Sequence, residues 1–541
     1  MRTSFVSSLS TLVLAAALAA QATTPEPVDA KAVAFFLDEG LQRSQVMEHL
    51  SWLCDVHGPR VTGSQNLQNA QKWAIETFAK MGLGARAETW GPFGRGWKCE
   101  SATMQVLGDN PWPVLAYAKV WSPGIARTEA EVVHVGAMTK EALQAADLAG
   151  KIVLLDDPRA ISEPFDGTSR RFTDKELQDM AEQKPVEAQG GDRRAAAARA
   201  AADGRSGFQR REEMLTIVQQ KRPLAIVDRA GKGDYGTVFV QGAAAVNAPG
   251  TPREQRQRAS AAGAEVIPQF TIAVEHYNRM CRVLAKGLPV RVAVELKVSA
   301  TEGEVDDRNV VADLAGGDAA IGGEFAMLGA HLDSWQSGTG ATDNGCGSAV
   351  VIEAARLIAE YCKQNGCKPR RTVRACLWSG EEQGLLGSRA YVKQHLGTAE
   401  APTGEHAKVA GYFNLDNGTG RVRGVYLQGN AAVAPVFQAW LAPFHAHGAS
   451  TITVGDTGGT DHLAFHGVGV PGFQFIQDPV SYDTRTHHSN MDVWDHAIAD
   501  DLKQASVVMA SFVWHTAQRD AKLPRQPVAP RTERTPGAGG R

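Results

Sequence analysis

FAMLGAHLDSWQSGTGATDNGCGSAVVIEAARLIAEY, Phe325 to Tyr361, decides the fold. Its first seven residues form a short apolar run that reads as a strand. A polar, Gly-rich loop follows, and from Ser348 apolar residues return at helical spacing (Val350, Val351, Ala354, Leu357, Ile358). The same order continues downstream. TVRACLWS (Thr372 to Ser379), VAGYFNL (Val409 to Leu415), TITVG (Thr451 to Gly455) and PGFQFIQ (Pro471 to Gln477) read as strands. Helices are expected from Leu385 to His395, Ala431 to His447, Asp461 to His466 and Val493 to Gln518. Such alternation predicts an α/β fold, a mostly parallel mixed sheet flanked by helices.

Upstream, helical spacing runs from Ala32 to His57 and again from Leu67 to Met81, with GPRVTGS (Gly58 to Ser64) between them. ESATMQVL (Glu100 to Leu107) and RNVVADLAG (Arg308 to Gly316) read as strands about two hundred residues apart, so an insertion is the economical explanation. Inside it AEVVHVG, GKIVLLD, PLAIVD, IPQFTIA and VRVAVELKV are short apolar strands between turn residues, a β-rich module of its own. The expected organisation is a discontinuous main domain over 23–125 and 299–520 and an inserted domain over 126–298. The middle of the insertion, Ser162 to Glu213, carries Arg193, Arg194, Arg199, Arg205, Arg210 and Arg211. Acids are interspersed, so it reads as a solvated helical excursion rather than an anion site.

The full length of 541 residues suggests about three or four structural units. With 56 Lys and Arg against 59 Asp and Glu the net charge is −3, which argues against nucleic acid as a partner. No apolar run is long enough to span a bilayer. Arg2, the apolar stretch Leu12 to Ala20 and the small-x-small site at Ala20 to Ala22 read as a secretory signal peptide over 1–22, implying an exported, periplasmic or extracellular protein. The segment 521–541, rich in Pro, Gly and Arg, reads as a disordered tail. Seven cysteines without a CxxC pair indicate neither a zinc finger nor a disulfide scaffold. Cys362 and Cys367 are spaced to close a short loop, a pairing that spacing leaves open.

Ligands of open α/β sheets bind beyond the carboxyl ends of the strands. The polar residues expected there are almost all of metal-ligand type: His331 and Asp333 after the first strand, Asp343 at the next helix start, Glu381 and Glu382, Asp416, and then His487 and His488. Singly each has a bland reading, Asp343 as a helix N-cap and Glu382 as a solvated acid at a helix start. Together they set two imidazoles and at least four carboxylates at one sheet edge, where repulsion would be costly without a cation. Mixed His and carboxylate ligation suits zinc, and a bridging carboxylate lets such a set serve two ions.

HLDS (331–334), ATDNGCGS (341–348), WSGEEQGLLGS (378–388), NLD (414–416), GGTDHLAF with GVP (458–465, 469–471) and HHSNMD (487–492) resemble, in order, the motifs of metallopeptidase family 28. That family contains di-zinc aminopeptidases, glutamate carboxypeptidases and plasma-type dipeptidases. The likeness covers most of 308–518, and GPRVTGS is similar to the family's N-terminal segment. The resemblance implies a zinc exopeptidase acting on peptide substrates, an aminopeptidase before a carboxypeptidase or dipeptidase. It implies two zinc ions, one held by His331, Asp343 and Asp416 and the other by Asp343, Glu382 and His488. Glu381 would be the general base, and Asp333 the acid that orients His331. His488 is preferred to His487 because a Ser and then an acid, Ser489 and Asp492, follow it at the family's spacing. Asn344 stands where many relatives have Asp, and the insertion is similar to a protease-associated domain. Two other readings compete: a non-catalytic binding protein on the same scaffold, and a one-zinc acyltransferase similar to glutaminyl cyclases.

Overall fold

The computed structural model describes residues 26–183, 207 and 209–526, the Arg253 side chain excepted. Its strands are β1 (Gly84–Gly94), β2 (Trp97–Val106), β3 (Trp112–Pro113), β4 (Ala116–Ala118), β5 (Ile125–His134), β6 (Ile152–Leu154), β7 (Ala225–Asp228), β8 (Gln269–Ile272), β9 (Arg291–Ala300), β10 (Val305–Leu314), β11 (Phe325–His331), β12 (Thr372–Trp378), β13 (Val409–Asn414), β14 (Val422–Tyr426), β15 (Thr451–Thr453) and β16 (Gly472–Gln477).

They form two mixed sheets, of order β1-β10-β12-β11-β13-β16-β14-β15 and β3-β2-β9-β5-β6-β7-β8-β4. In the first, β12, β11, β13 and β16 run parallel to one another. A strand covered on both faces must be apolar throughout, because successive side chains point to opposite sides. β11 follows this rule. Ala326, Leu328 and Ala330 pack on one face against the buried helices Cys346–Asn365 and Ala499–Gln518, and Met327 packs on the other against Phe465 and Tyr391. Parallel pairing aligns His331 with Trp378, and Asn414 with Gly329 and Gln474. The carboxyl ends of these strands therefore share one edge, where β11 ends on His331 and the chain leaves β12 and β13 into the loops that carry Glu381, Glu382 and Asp416. The mixed α/β architecture is the one expected.

Several boundaries differ. β2, β3 and β4 belong to the second sheet, β2 pairing with β9 from Trp97↔Ala300 to Val106↔Val292, so that sheet begins at Trp97 and not at 126. The strand that pairs β10 in the first sheet is β1, an edge strand whose exposed, alternating residues show no apolar run. The second unit is also not simply β-rich, since β5 to β8 run parallel and the helix Val274–Leu284 packs on them. Among the described residues two sheet-centred units stand where length suggested three or four. The helical run from Ala32 breaks into Ala30–Gln42 and Val46–Ser51, and the last helix starts at Ala499, not Val493.

The expected tail is anchored at its start. Leu523 is 2% exposed against Gly411, where a Cβ would come within 2.7 Å of it, and Arg525 donates to the Val409 carbonyl at 2.8 Å. The signal-peptide segment 1–22, Arg193, Arg194, Arg199 and Arg205, and residues 527–541 lie outside the described residues. Arg211 of the basic stretch is no free cation: it pairs with Asp156 at 2.7 Å and Asp228 at 3.1 Å. All seven cysteines are free, Cys362 and Cys367 included.

Candidate metal centre

β11 ends at His331, and the chain turns through Gly340 (φ 69°) into the helix that begins at Cys346, leaving Asp343 above the sheet edge. This loop is held from three sides. Asp492 accepts from the Thr342 N–H at 2.5 Å and the Asp343 N–H at 3.2 Å. Asn344 donates to the Leu415 carbonyl at 2.9 Å, which ties the loop to the strand that delivers Asp416. Arg60, fully buried, donates to the carbonyls of Leu332 (2.6 Å), Thr339 (2.9 Å) and Gly340 (2.8 Å). The GPRVTGS segment thus holds the loop through a guanidinium whose charge is met by carbonyl dipoles. Arg60 and Asp492 were not singled out as site residues from sequence; the only signals were the GPRVTGS motif and the acid that closes HHSNMD.

His331, Asp343, Glu381, Glu382, Asp416 and His488 come together. His331 Nε2 lies 3.3 Å from Asp343 Oδ1, 3.4 Å from Asp416 Oδ1 and 3.9 Å from Glu381 Oε2. His488 Nε2 lies 3.0 Å from Asp343 Oδ2 and 2.9 Å from Glu382 Oε2. Asp343 therefore turns one carboxylate oxygen to each imidazole. Two tight triads of ligand atoms result, His331 with Glu381 and Asp416, and Asp343 with His487 and His488. His487 is the less engaged of the neighbouring histidines. Its Nε2 is 3.7 Å from Asp343, and its ring stacks on Tyr482 at 4.6 Å. Asp333 sits behind the cluster. Its carboxylate accepts from Thr62 Oγ1 at 2.9 Å and from the N–H groups of Glu381 (3.2 Å) and Glu382 (3.4 Å), and its carbonyl is 3.0 Å from His331 Nδ1.

Too many charges are buried here for all to ionise unaided. Burial, with the charges of Asp416, Asp461 and Glu382, raises the Glu381 carboxyl well above its ordinary range despite His331. Burial and Asp343 push Glu382 up to about 7. Burial would raise Asp343 as well, but His488 and His331 outweigh it and hold that carboxyl well below its ordinary value. Burial opposes protonation of His488, yet Glu382 and Asp343 raise it to about 11. Asp343 Oδ2, Glu382 Oε1 and Asp416 Oδ1 are buried and make no hydrogen bond. Unsatisfied carboxylate oxygens facing imidazole nitrogens are the donor set that zinc accepts, so the residues present fit the metal.

A cavity of about 620 Å³ opens beside the cluster, lined by Glu382, Gln383, Trp335, Trp121 and Gln241. A second, of about 330 Å³, is lined by Lys119, Arg211, Lys232, Phe239, His487 and His488. Both lie between the two units. In the loops that carry the cluster, Trp335 packs edge-on to His488 at 6.2 Å, Tyr482 stacks on His487, and Arg485 is engaged by Asp234 and Thr237 of the second unit.

Residues 309–513 match the model of Peptidase family M28. Carboxypeptidase Q of Rattus norvegicus is 29% identical over 267 residues, 49% of this chain and 52% of that protein, so the chain spans about half the length of that curated relative. Carboxypeptidase Q of Mus musculus is 24% identical over 506 residues, 92% of this chain and 90% of that one. Among solved structures, a peptidase M28 precursor from Shewanella amazonensis SB2B superposes with a TM-score of 0.63 at 24% identity, over 92% of this chain and 98% of that one. BSAP, a zinc aminopeptidase from Bacillus subtilis, superposes with a TM-score of 0.54 at 17% identity, over 88% and 95%. At those identities the two structures speak for the fold. Ordered motifs, a shared fold and the matched segment point the same way: it is residues 309–513 that match peptidase family M28.

Proposed function

We propose that this chain is an exported, zinc-dependent exopeptidase, in the first instance an aminopeptidase, with two zinc ions per chain. The reading is carried by Asp343, whose two oxygens face two separate imidazoles at 3.3 and 3.0 Å, as a bridging carboxylate requires. His331, Asp343 and Asp416 would hold one ion, and Asp343, Glu382 and His488 the other. When bound, zinc polarises a peptide carbonyl and acidifies water. Glu381 is the general base: its Oε2 takes the proton from the attacking water and returns it to the leaving amine. Asp333 positions both sides of the reaction, anchoring the backbone of Glu381 and Glu382 while its carbonyl faces His331 Nδ1. Trp335 and Trp121 line the neighbouring cavity, next to Glu382. Export rests on the signal-like segment at 1–22.

A second reading, carboxypeptidase or dipeptidase on the same centre, is favoured by the alignment with mouse carboxypeptidase Q along 92% of this chain. A panel of free, N-acylated and C-amidated dipeptides separates the two. Aminopeptidase activity predicts cleavage of free and C-amidated peptides and resistance of N-acylated ones. Cleavage of N-acylated peptides with a free carboxylate would overturn it in favour of the second reading.

A further inference from the structure

His488 is set by the second unit as much as by its own loop. Its φ is 62°, a left-handed conformation that a non-glycine residue adopts only when its surroundings impose it. The surroundings here are residues 236–241 of the second unit. Val240 N–H donates to the His488 carbonyl at 2.8 Å, and Phe239 bridges Ser489 in antiparallel fashion. Asn490 completes the pairing: its N–H reaches the Val238 carbonyl at 3.1 Å, its Oδ1 accepts from Val238 N–H at 2.7 Å, and its Nδ2 donates to the Gly236 carbonyl at 3.1 Å. On the far side the same segment pairs with Val120, whose N–H reaches the Gln241 carbonyl at 3.3 Å and whose carbonyl accepts from Ala243 at 2.9 Å. The ligand loop is therefore stitched to a segment that is itself fixed in the second unit.

At the end of that segment Gln241 Nε2 lies 3.0 Å from His488 Nδ1, in the wall shared by the two cavities. Trp335 packs edge-on against the same ring at 6.2 Å. The other ring nitrogen, Nε2, faces Asp343 and Glu382. An imidazole that gives Nε2 to a cation carries its proton on Nδ1 and needs an acceptor there. A half-turn of the amide presents the Gln241 oxygen to that N–H. For His331 the acceptor is the Asp333 carbonyl, from the next turn of its own chain. For His488 the group in that position comes from the other unit.

We propose that Gln241 is a positioning residue, which fixes the ring orientation and tautomer of His488 and so sets the zinc affinity of one half of the centre. The inference rests on His488 being a ligand, as argued above. It gives the second unit a defined part in the metal centre.

The test loads the metal-free full chain with Zn2+ against a chromogenic chelator, in the wild type, Gln241→Ala and Gln241→Glu. Loss of an outer partner of a ligating histidine commonly weakens metal binding about 10- to 100-fold. Gln241→Ala is expected to weaken one of two zinc-binding steps about 10-fold or more and to leave the other unchanged. Gln241→Glu, whose carboxylate accepts from the same N–H, is expected to bind at least as tightly as the wild type. The metal-free melting temperature should stay the same in all three, which distinguishes positioning from a folding defect. Wild-type zinc affinity in Gln241→Ala, or equal weakening in both variants, overturns the inference and leaves the peptidase reading standing. A wild type that takes up no zinc overturns both.

Discussion

Glu381 and Glu382 are adjacent in the chain and are assigned different tasks, because their carboxylates face different partners. Glu382 reaches His488 at 2.9 Å, whereas Glu381 faces His331 at 3.9 Å. Glu381→Gln is accordingly expected to retain zinc and lose on the order of 10²-fold or more in kcat. Near-normal turnover, measured on metal-replete enzyme, would remove Glu381 as the base. Asp343→Ala removes the carboxylate facing both imidazoles, so the purified variant should carry less than one zinc per chain by elemental analysis. At this scale a sequence reading finds residues whose chemistry is written in their type and place, such as His331 after a strand end or Asp343 after a Gly-rich turn. It does not find Arg60 and Asp492 as loop clamps. Arg60 donates to carbonyls some 270 residues away and Asp492 accepts from Thr342 and Asp343, and such contacts leave no local pattern.

The helix Cys346–Asn365 is where element-level energetics bear on the site. Gly347 lies in its first turn, and a Cβ there would come 2.2 Å from the Leu415 carbonyl oxygen and 2.3 Å from Asn344 Oδ1. Gly347→Ala should therefore cost on the order of 3 kcal/mol or more, read as a lowered denaturation midpoint, because the obstruction is backbone that cannot swing aside. Nearly two turns further on, Glu353 ties the N-terminal helices to this one. It accepts from Gln45 N–H at 3.1 Å and Arg356 Nε at 2.8 Å, with His49 at 3.5 Å. Burial alone would raise its carboxyl, but Arg356 and His49 hold it down to about 2 from an ordinary 4.5. A depressed folded-state pKa stabilises fully above the unfolded value and is lost as pH falls through the folded one. The stability difference between wild type and Glu353→Gln should thus be on the order of 3 kcal/mol above pH 4.5 and shrink steadily toward pH 2. A difference that does not change with pH would contradict the ion-pair account. Elements buried on both faces, such as β11, β12 and β13, were legible as continuous apolar runs. β1 was not, since an exposed edge strand needs no such run, and in β14 Arg423 and Gly424 interrupt the apolar pattern.

At the scale of the molecule, two sheets meet across a cleft, and the loop 478–490 of the first unit is gripped by the second. Lys232 donates to the Asp483 carbonyl at 2.6 Å, Arg171 pairs with Asp478 at 2.7 Å, and Val240 bonds His488. Fold class was readable because strand and helix periodicities alternate along the chain. The division between units was not, because apolar patterning marks a strand without naming its partner: β2 could be recognised as a strand but not as the neighbour of β9. Contacts across the cleft predict that activity depends on both units. Arg171→Ala would leave the buried Asp478 and Asp501 without a 2.7 Å ion-pair partner each, and is expected to lower the melting temperature by several degrees in a thermal scan.

The claim on which the whole account turns is that His331, Asp343, Glu382, Asp416 and His488 cage two divalent ions. Zinc per chain, determined by elemental analysis on the purified full-length protein alongside Asp343→Ala, tests it directly. The account predicts two zinc ions in the wild type and less than one in the variant; a wild type without zinc, or a variant that keeps both ions, would contradict it.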